Sequence, residues 1–360
     1  MKDKAFTLNL LAACCEMEVK MKKIVTFGEI MLRLAPPGYR RFVQAESFEA
    51  SYGGAEANVA VSLANFGLDP VFVTKLPEHE IGQAALNALR RYGVDTSMIV
   101  RGGDRLGVYY LEKGASQRAS KVVYDRKGSS IAEAGKYEFD WDAIFQDAHW
   151  FHFTGITPAL SDNVAAICLE ACRKATDKGI KISCDLNYRK NLWNREKARA
   201  VMTPLMEYVN VCVCNEEDAA DVFSISAKDT DVSSGKLSRE GFTEVAKTLA
   251  ERFSFDLVGI TLRSSRTASD NMWAAMIYDG KESCFSEEYP VHIVDRVGGG
   301  DAFSAALIYA LINGYDTRRA AGFAAAASCL KHTIEGDFSH ISIAEAEALM
   351  KGDGSGRVKR

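Results

Sequence analysis

A chain of 360 residues is long enough for one large α/β domain or two smaller ones. Its 47% hydrophobic and 26% charged residues are those of an ordinary soluble globular protein, and a net charge of −4 gives a nucleic-acid partner no electrostatic support. Nine scattered cysteines without a C-x-x-C pair read as reduced thiols of a cytoplasmic protein, and six histidines without H-E-x-x-H give no metal-site pattern.

Lys2 and Lys4 precede FTLNLLAACC, loosely similar to a short lipoprotein signal ending at Cys14, but the apolar part is short. Met21 stands directly before KKIVTFGEI, so residues 1–20 are expected to be a disordered extension or an over-long start, with the domain over 21–360. Residues 22–28 (KKIVTFG) read as a short apolar strand suited to the centre of a parallel sheet. The polar and aromatic segment near 31–52, broken by Pro36-Pro37, reads as a flap outside the core. Gly53-Gly54-Ala55-Glu56-Ala57-Asn58 then opens a helix that runs through Phe66 and stops at Gly67. Asn58, one turn in, is placed either to tie down the turn or to hold a substrate hydroxyl.

A β-α-β unit follows: strand 70–76, helix 81–92, strand 97–100. The stretch near 106–127 breaks the rhythm and reads as a hairpin with strands 108–112 and 121–126, carrying five basic side chains against Glu112 and Asp125. Tyr124 and Arg126 are two apart and would share a strand face. Strands 149–153 and 181–186, with helix 162–178 between them, restore the alternation. The latter strand runs out in Asp185-Leu186-Asn187-Tyr188-Arg189, so a carboxylate, an amide and a guanidinium fall at its carboxyl end, where open α/β sheets bind ligands. Strand 209–214 ends likewise in Asn215-Glu216-Glu217-Asp218, and strand 257–261 in Leu262-Arg263-Ser264. After a strand-like run at 271–278 come the 295–301 stretch and helices at 302–310, 319–330 and 343–350. No apolar run approaches the roughly twenty residues needed to span a membrane.

The chain is organised around Asp295-Arg296-Val297-Gly298-Gly299-Gly300-Asp301. Three bare glycines opening an apolar helix make an anion site, because orphan N–H groups and the positive dipole end point the same way. A carboxylate inside that site is odd if the glycines only bind phosphate. It makes sense if Asp301 takes a proton from a hydroxyl while the glycine amides hold a phosphoryl group in transfer. The stretch lacks both the G-x-G-x-x-G of a dinucleotide site and the G-K-[ST] of a P-loop, and the GEIML after the first strand argues against a nicotinamide oxidoreductase.

Over residues 21–360 the chain resembles the ribokinase-like (PfkB) carbohydrate kinase family, on GGAEANVA at 53–60, DRVGGGDAF at 295–303 and NEED at 215–218. GEIMLRLAPP at 28–37, LEKGASQRASKVVYDR at 111–126 and DLNYRKNLW at 185–193 are similar to the 2-keto-3-deoxygluconate kinases of that family. The resemblance implies a three-layer α/β/α sandwich with a mostly parallel central sheet and a small β-sheet lid. It implies transfer of the γ-phosphate of ATP, with Mg²⁺, to the terminal hydroxyl of a sugar acid, in a homo-oligomer. It implies Asp301 as base and Gly298, Gly299 and Gly300 as anion hole. The substrate would meet Gly54, Ala55, Asn58, Tyr110, Tyr124, Arg126, Arg189 and Asp337, and the nucleotide Asn187, Arg189, Thr261 and Arg263 with Gly298 and Gly300. Asn215 and Asp218 would organise magnesium and phosphates without direct ligation. Two departures stand out: Gly299 replaces the family's alanine, which points to a looser turn, and Asp218 replaces a glutamate. Arg126 and Arg189 have the fork geometry for a carboxylate, Arg126 more specifically because Arg189 also suits ATP phosphate. A fructokinase or ribokinase specificity, and a non-enzymatic sugar sensor on the same fold, are the alternative readings.

Overall fold

Short apolar runs flanked by helices are what a parallel sheet covered on both faces requires. The computed structural model describes residues 22–215, 217–226 and 238–354. The extension expected over 1–20, and Glu216 of the NEED run, lie outside the described residues.

In chain order the strands are β1 Lys23–Phe27, β2 Met31–Ala35, β3 Glu49–Gly53, β4 Asp69–Val73, β5 Lys75–Leu76, β6 Val100–Arg101, β7 Val108–Glu112 and β8 Lys121–Asp125. They continue as β9 Ala148–Thr154, β10 Lys181–Asp185, β11 Val211–Asn215, β12 Leu257–Ser265, β13 Asp270–Tyr278, β14 Ser283–Phe285 and β15 Tyr289–His292. The helices are α1 Ala55–Asn65, α2 Glu80–Arg90, α3 Trp141–Ile144, α4 Asp162–Asp177, α5 Arg195–Met206, α6 Asp218–Phe223, α7 Arg239–Phe253, α8 Gly299–Ile312, α9 Thr317–Lys331 and α10 Ile343–Met350.

The large sheet runs β14-β13-β12-β11-β10-β9-β1-β4, with β15 beside β13. From β4 to β12 every pairing is parallel, and the antiparallel strands β13 to β15 finish one edge. Strand β1 lies between β4 and β9, so the strand order reverses there, the place where such sheets open a crevice at their carboxyl edge.

Period-two alternation divides the core. Val25, Phe27, Phe151, Phe153, Cys212 and Cys214 pack with α4, α5 and α7 on one face. Ile24, Trp150, Val211 and Val213 pack with α1, α8, α9 and α10 on the other. Helices α8 and α9 are rich in fully buried alanines and sit close to the sheet. At Gly259 on β12 an added Cβ would stand 3.2 Å from both the Phe303 ring and Leu307. The absence of a side chain there sets how near α8, and hence its N-terminus, comes to the strands.

The segment read as a flap is a built sheet. Strands β3-β2-β7-β8 form a separate four-stranded layer, β2 antiparallel to β3 and parallel to β7. It is the small lid sheet that the family resemblance implies, and within it Met31 and Arg33 of β2 are buried. The run expected as one strand over 70–76 divides at Thr74 into β4, in the large sheet, and β5, which leaves it to pair with β6. Helices α3, α5, α6 and α7 add to the expected elements.

The short helix α3, N-capped by Asp140, is anchored to the sheet by aromatic packing. Trp141 meets Phe27 edge-on at 5.2 Å and stacks on Phe145 at 5.2 Å, and Phe145 meets Phe151 at 5.2 Å. Phe151→Ala is therefore expected to open a cavity that rigid strand neighbours cannot fill, costing about 3–5 kcal/mol. A denaturant midpoint lowered by that free energy divided by m, with m unchanged, would be the result; a midpoint near wild type would show that the cluster repacks.

Candidate active site

Helix α8 begins at the carboxyl edge of the sheet because Gly298 turns the chain with φ of 84°. A Cβ there would lie 2.2 Å from the Asp337 carbonyl oxygen, so neither the conformation nor the space admits a side chain. The first-turn N–H groups of α8 have no intrahelical acceptor and face a cleft of about 500 Å³.

Gly299 does not leave the turn loose. A Cβ at that position would stand 2.4 Å from Cε1 and 2.6 Å from Nε2 of His332, so the buried imidazole occupies the room an alanine methyl would take. Its Nδ1–H donates to the Ser328 carbonyl at 2.8 Å, and the Ser328 hydroxyl donates to the Gly299 carbonyl at 2.6 Å. Burial pushes the His332 pKa down to about 4, which keeps the ring neutral.

Asp301 lies in the first turn of α8, buried, and accepts a 2.6 Å hydrogen bond from the Asn58 amide. The Asn58 carbonyl oxygen accepts from the Gly54 N–H at 3.3 Å, so one side chain ties the start of α1 to the start of α8. Burial pushes the Asp301 pKa up to about 6, against the Asn58 hydrogen bond and Arg189, which pull it down. A carboxyl in that range is a competent proton acceptor near neutrality.

The nucleotide-facing candidates converge on the same cleft. Asn187, Arg189, Asn215, Asp218, Thr261 and Arg263 all line it, as do Asp185 and His332. Asn187 takes a positive φ of 38° just past β10, and the Asp185 carboxylate accepts its N–H at 3.2 Å. The Asn215 side-chain oxygen accepts from the Asp218 N–H at 2.9 Å, while Asp218 accepts from the Asn215 N–H at 3.2 Å and the Tyr188 N–H at 3.0 Å. The short side chain at 218 thereby pins the ends of β10 and β11 together. Burial raises both Asp185 and Asp218, and Asp185 is raised further by the charges of Asp218 and Asp301. Among the described residues no cluster of three His, Cys, Asp or Glu side chains is arranged for a metal ion.

On the lid side, Gly54, Ala55, Tyr124, Arg126 and Asp337 line the cleft and Tyr110 does not. Strand parity is the reason. Tyr109 pairs with Tyr124 and faces inward, its ring 6.0 Å from that of Tyr124, whereas Tyr110 turns to the other face and meets Phe48. Tyr109, not Tyr110, is the tyrosine of β7 in the site. Asp337 is engaged within the protein: Arg33 donates to it at 2.8 Å and the Tyr109 hydroxyl at 2.7 and 2.6 Å to its two oxygens. Arg126 lies just beyond the end of β8, not within a strand shared with Tyr124. Its guanidinium stands 5.5 Å over the Tyr124 ring and pairs with Glu29, which also accepts from the Ser129 hydroxyl at 2.7 Å.

Several residues of the cleft were given no role by the sequence reading. Glu29, Arg33 and Asp295 carry the ion pairs under the lid. Glu56, inside the GGAEAN motif, points away from solvent and accepts from Thr154 N–H at 2.9 Å, Thr154 Oγ1 at 2.7 Å and Thr157 Oγ1 at 2.6 Å. A side chain on Gly28 would collide with it. The signal available for Glu56 was a lone acid in an otherwise apolar helix start.

Comparison with known proteins gives a consistent result. Residues 21–340 match the profile of the pfkB family carbohydrate kinases. The 2-dehydro-3-deoxygluconokinase of Thermotoga maritima, a solved structure, is 52% identical with a TM-score of 0.89 over 92% of this chain and 100% of its own. The 2-dehydro-3-deoxygalactonokinase of Haloferax volcanii is 33% identical over 93% of this chain and 98% of its own. The 2-dehydro-3-deoxygluconokinase of Thermoproteus tenax is 28% identical over 92% and 95%.

Glu56 yields a test of the electrostatics beneath the site. Burial, opposed by the two threonine hydroxyls, raises its pKa from 4.5 to about 7. The folded protein therefore holds this proton more tightly than the unfolded chain. The associated stability is fully present below pH 4.5 and is lost as pH rises through about 7. Glu56→Gln keeps the acceptor and removes the titration, so its melting temperature should vary less than that of wild type across that window. Parallel curves for the two proteins would contradict a raised Glu56.

Proposed function

Because the chain belongs to the pfkB family of carbohydrate kinases, we propose that it transfers the γ-phosphate of ATP to the terminal hydroxyl of 2-keto-3-deoxygluconate, giving 2-keto-3-deoxy-6-phosphogluconate. The observation that carries this reading is the sharing of one cleft by a raised, Asn58-held carboxyl at a glycine helix start and the guanidinium groups of Arg126 and Arg189.

Phosphoryl transfer passes through a loose transition state, so positioning and charge stabilisation do most of the catalysis. The sugar hydroxyl is placed against Asp301, which accepts its proton as the new P–O bond forms, while the bond to the ADP oxygen breaks. The Gly298–Gly300 amides and the positive end of α8 meet the charge on the transferred oxygens. Asn58 fixes the Asp301 rotamer, leaving its other oxygen for the substrate. The lid sheet covers the sugar and excludes water that would otherwise be phosphorylated. Tyr109, Tyr124 and Arg126 form its inner wall, and Arg126 takes the substrate carboxylate. Arg189, Asn187, Thr261 and Arg263 face the nucleotide.

The donor chemistry fits magnesium arriving with ATP. Asp185 and Asp218 are hard oxygen donors that burial holds above the usual carboxylate range, Asp185 further raised by the charges of Asp218 and Asp301, and a divalent cation would relieve that repulsion. When bound, Mg²⁺ supplies neutralisation of the phosphate charge; Asp185 and Asp218 would hold it through its water shell.

An ADP-release assay with 2-keto-3-deoxygluconate, its galactonate-derived epimer, fructose and ribose tests the reading. Turnover confined to the sugar acids supports it, turnover of fructose or ribose in preference overturns the specificity, and no ADP with any sugar returns the sensor reading. In the active enzyme, kcat/KM should fall on the acid side with an apparent pKa near 6, because Asp301 must be ionised to accept the proton. Asp301→Asn should lower kcat by at least about 100-fold with ATP affinity little changed. A variant within a few-fold of wild type would remove Asp301 from the chemistry.

Arg126→Met should cost roughly ten- to a hundred-fold in kcat/KM for the sugar acid, as for a hydrogen bond to a charged group. A reduced analogue bearing a hydroxymethyl in place of the carboxylate should be equally poor with both enzymes. Since the substitution also strips Glu29 of its partner, the Glu29→Gln, Arg126→Met double variant serves as control. Equal losses on acid and neutral substrates would assign Arg126 to the lid alone.

A further inference from the structure

Lys331 ends helix α9 with no part of its side chain exposed to solvent. Lysine in the last turn of a helix ordinarily reaches into water, where it is worth about 0.3–1 kcal/mol against the dipole. Here it turns inward. Its ammonium donates to the Ile334 carbonyl at 3.1 Å and the Gly336 carbonyl at 2.9 Å, and its Cε lies 3.1 Å from where a Cβ of Gly298 would stand. The lysine thus lies directly behind the first glycine of the anion hole.

The loop it gathers is part of the same assembly. The Gly336 N–H donates to Asp295 Oδ2 at 3.1 Å, and Asp295 Oδ1 accepts from the Val297 N–H at 3.1 Å, one residue before Gly298. The Val294 and Asp295 N–H groups donate to the His332 carbonyl at 2.8 and 3.2 Å. Charge completes the picture. Arg33 is ion-paired to Asp295 at 2.5 Å and to Asp337 at 2.8 Å, all three buried. One guanidinium against two carboxylates leaves the group one negative charge in excess, and Lys331 is the buried cation that balances it. Burial lowers the Lys331 pKa, while Asp295 and Asp337 act in the opposite sense.

Resting on the kinase reading above, we propose that Lys331 is a positioning residue for the anion hole. It is a tethered cation that folds the 334–336 loop around itself, balances Asp295 and Asp337, and so fixes Gly298 at the head of α8. It touches neither substrate. Two carbonyls and two neighbouring carboxylates are also a donor set that a free ammonium-sized cation satisfies, which makes the role separable from mere packing.

The experiment compares wild type with Lys331→Ala in ammonium chloride and in tetramethylammonium chloride, which matches ionic strength but is too large to enter. Lys331→Ala should lose about 100-fold in kcat, the cost of a displacement near 1 Å, with both KM values nearly unchanged. Ammonium should restore at least about tenfold of that loss, and tetramethylammonium none; wild type should respond to neither. Melting temperature reads the same event without turnover: ammonium should stabilise the variant and leave wild type unmoved. If Lys331→Ala does not fold, Lys331→Met, which keeps the apolar stem, should fold and show the kcat loss without rescue. A kcat near wild type in a folded variant overturns the proposal, as does a loss in Lys331→Ala that ammonium leaves untouched in both rate and melting temperature. Wild-type enzyme inactive on every sugar acid would instead overturn the kinase reading, and the melting-temperature arm would still decide the role of Lys331.

Discussion

The bifurcated pairing of Arg33 with Asp295 and Asp337 is the contact on which the site depends, because one buried side chain joins three parts of the chain at once. Arg33 comes from the lid, Asp295 from the run into the glycine turn, and Asp337 from the loop after α9. Asp337 extends the link to the second lid pair through the Tyr109 hydroxyl. Burial works against the charge of Arg33, but the two aspartates more than compensate and raise its pKa above the ordinary value. A buried ion pair of this kind is weak evidence for stability, since removing its charges together often costs little. What it supplies is geometry. The carboxylates fix the lid relative to the N-terminus of α8, where charge must be met during transfer.

A second constraint is the surplus of acid around the reacting centre. Asp185, Asp218 and Asp301 are each held above the usual carboxylate range, burial being the largest cause, and the charges of Asp218 and Asp301 both act on Asp185. This is an unfavourable arrangement, only partly offset by Arg189. A positive charge brought into the cleft would relieve that repulsion.

Much of the site was legible in the sequence because it is built from local motifs. The glycine run with Asp301, the helix start with Asn58, and the polar residues after β10, β11 and β12 were each recognisable from consecutive residues, and the structure gathers them into one cleft. What was not legible depends on partners distant in sequence. Arg33 and Asp337 are 304 residues apart, and nothing near Arg33 says that a charged residue in a broken, proline-flanked segment will be buried. The choice between Tyr109 and Tyr110 turns on strand parity, which adjacent tyrosines cannot reveal until the register with β8 is known. Gly299 read alone suggests a loose turn; the imidazole that fills the space arrives from α9. Helix α7 was missed although its pattern is local: Phe242, Val245, Ala246, Leu249 and Phe253 recur at helical spacing and are all buried. Pro204 obscures α5, because a proline near its end interrupts the pattern by which helices are recognised.

The way the lid is held bears on how it can work. Its apolar cluster is small, Met31, Ala35, Tyr109 and Leu111 with Val297 against them, and the whole of β8 is exposed. The central sheet, in contrast, is packed on both faces by large clusters. Hydrophobic burial is therefore concentrated below the cleft, and the layer above it relies on discrete polar links: Arg33 to the aspartates, Tyr109 to Asp337, and Arg126 to Glu29. Elements with few buried apolar contacts lie at the low end of the local stability range, so the lid is the less stable layer and the floor the more stable one. Polar links also suit exchange, since an incoming carboxylate would compete for Arg126 in the same chemical terms as Glu29. A firmly packed floor beneath the cleft, and replaceable ion pairs in the layer above it, follow from that division of the core.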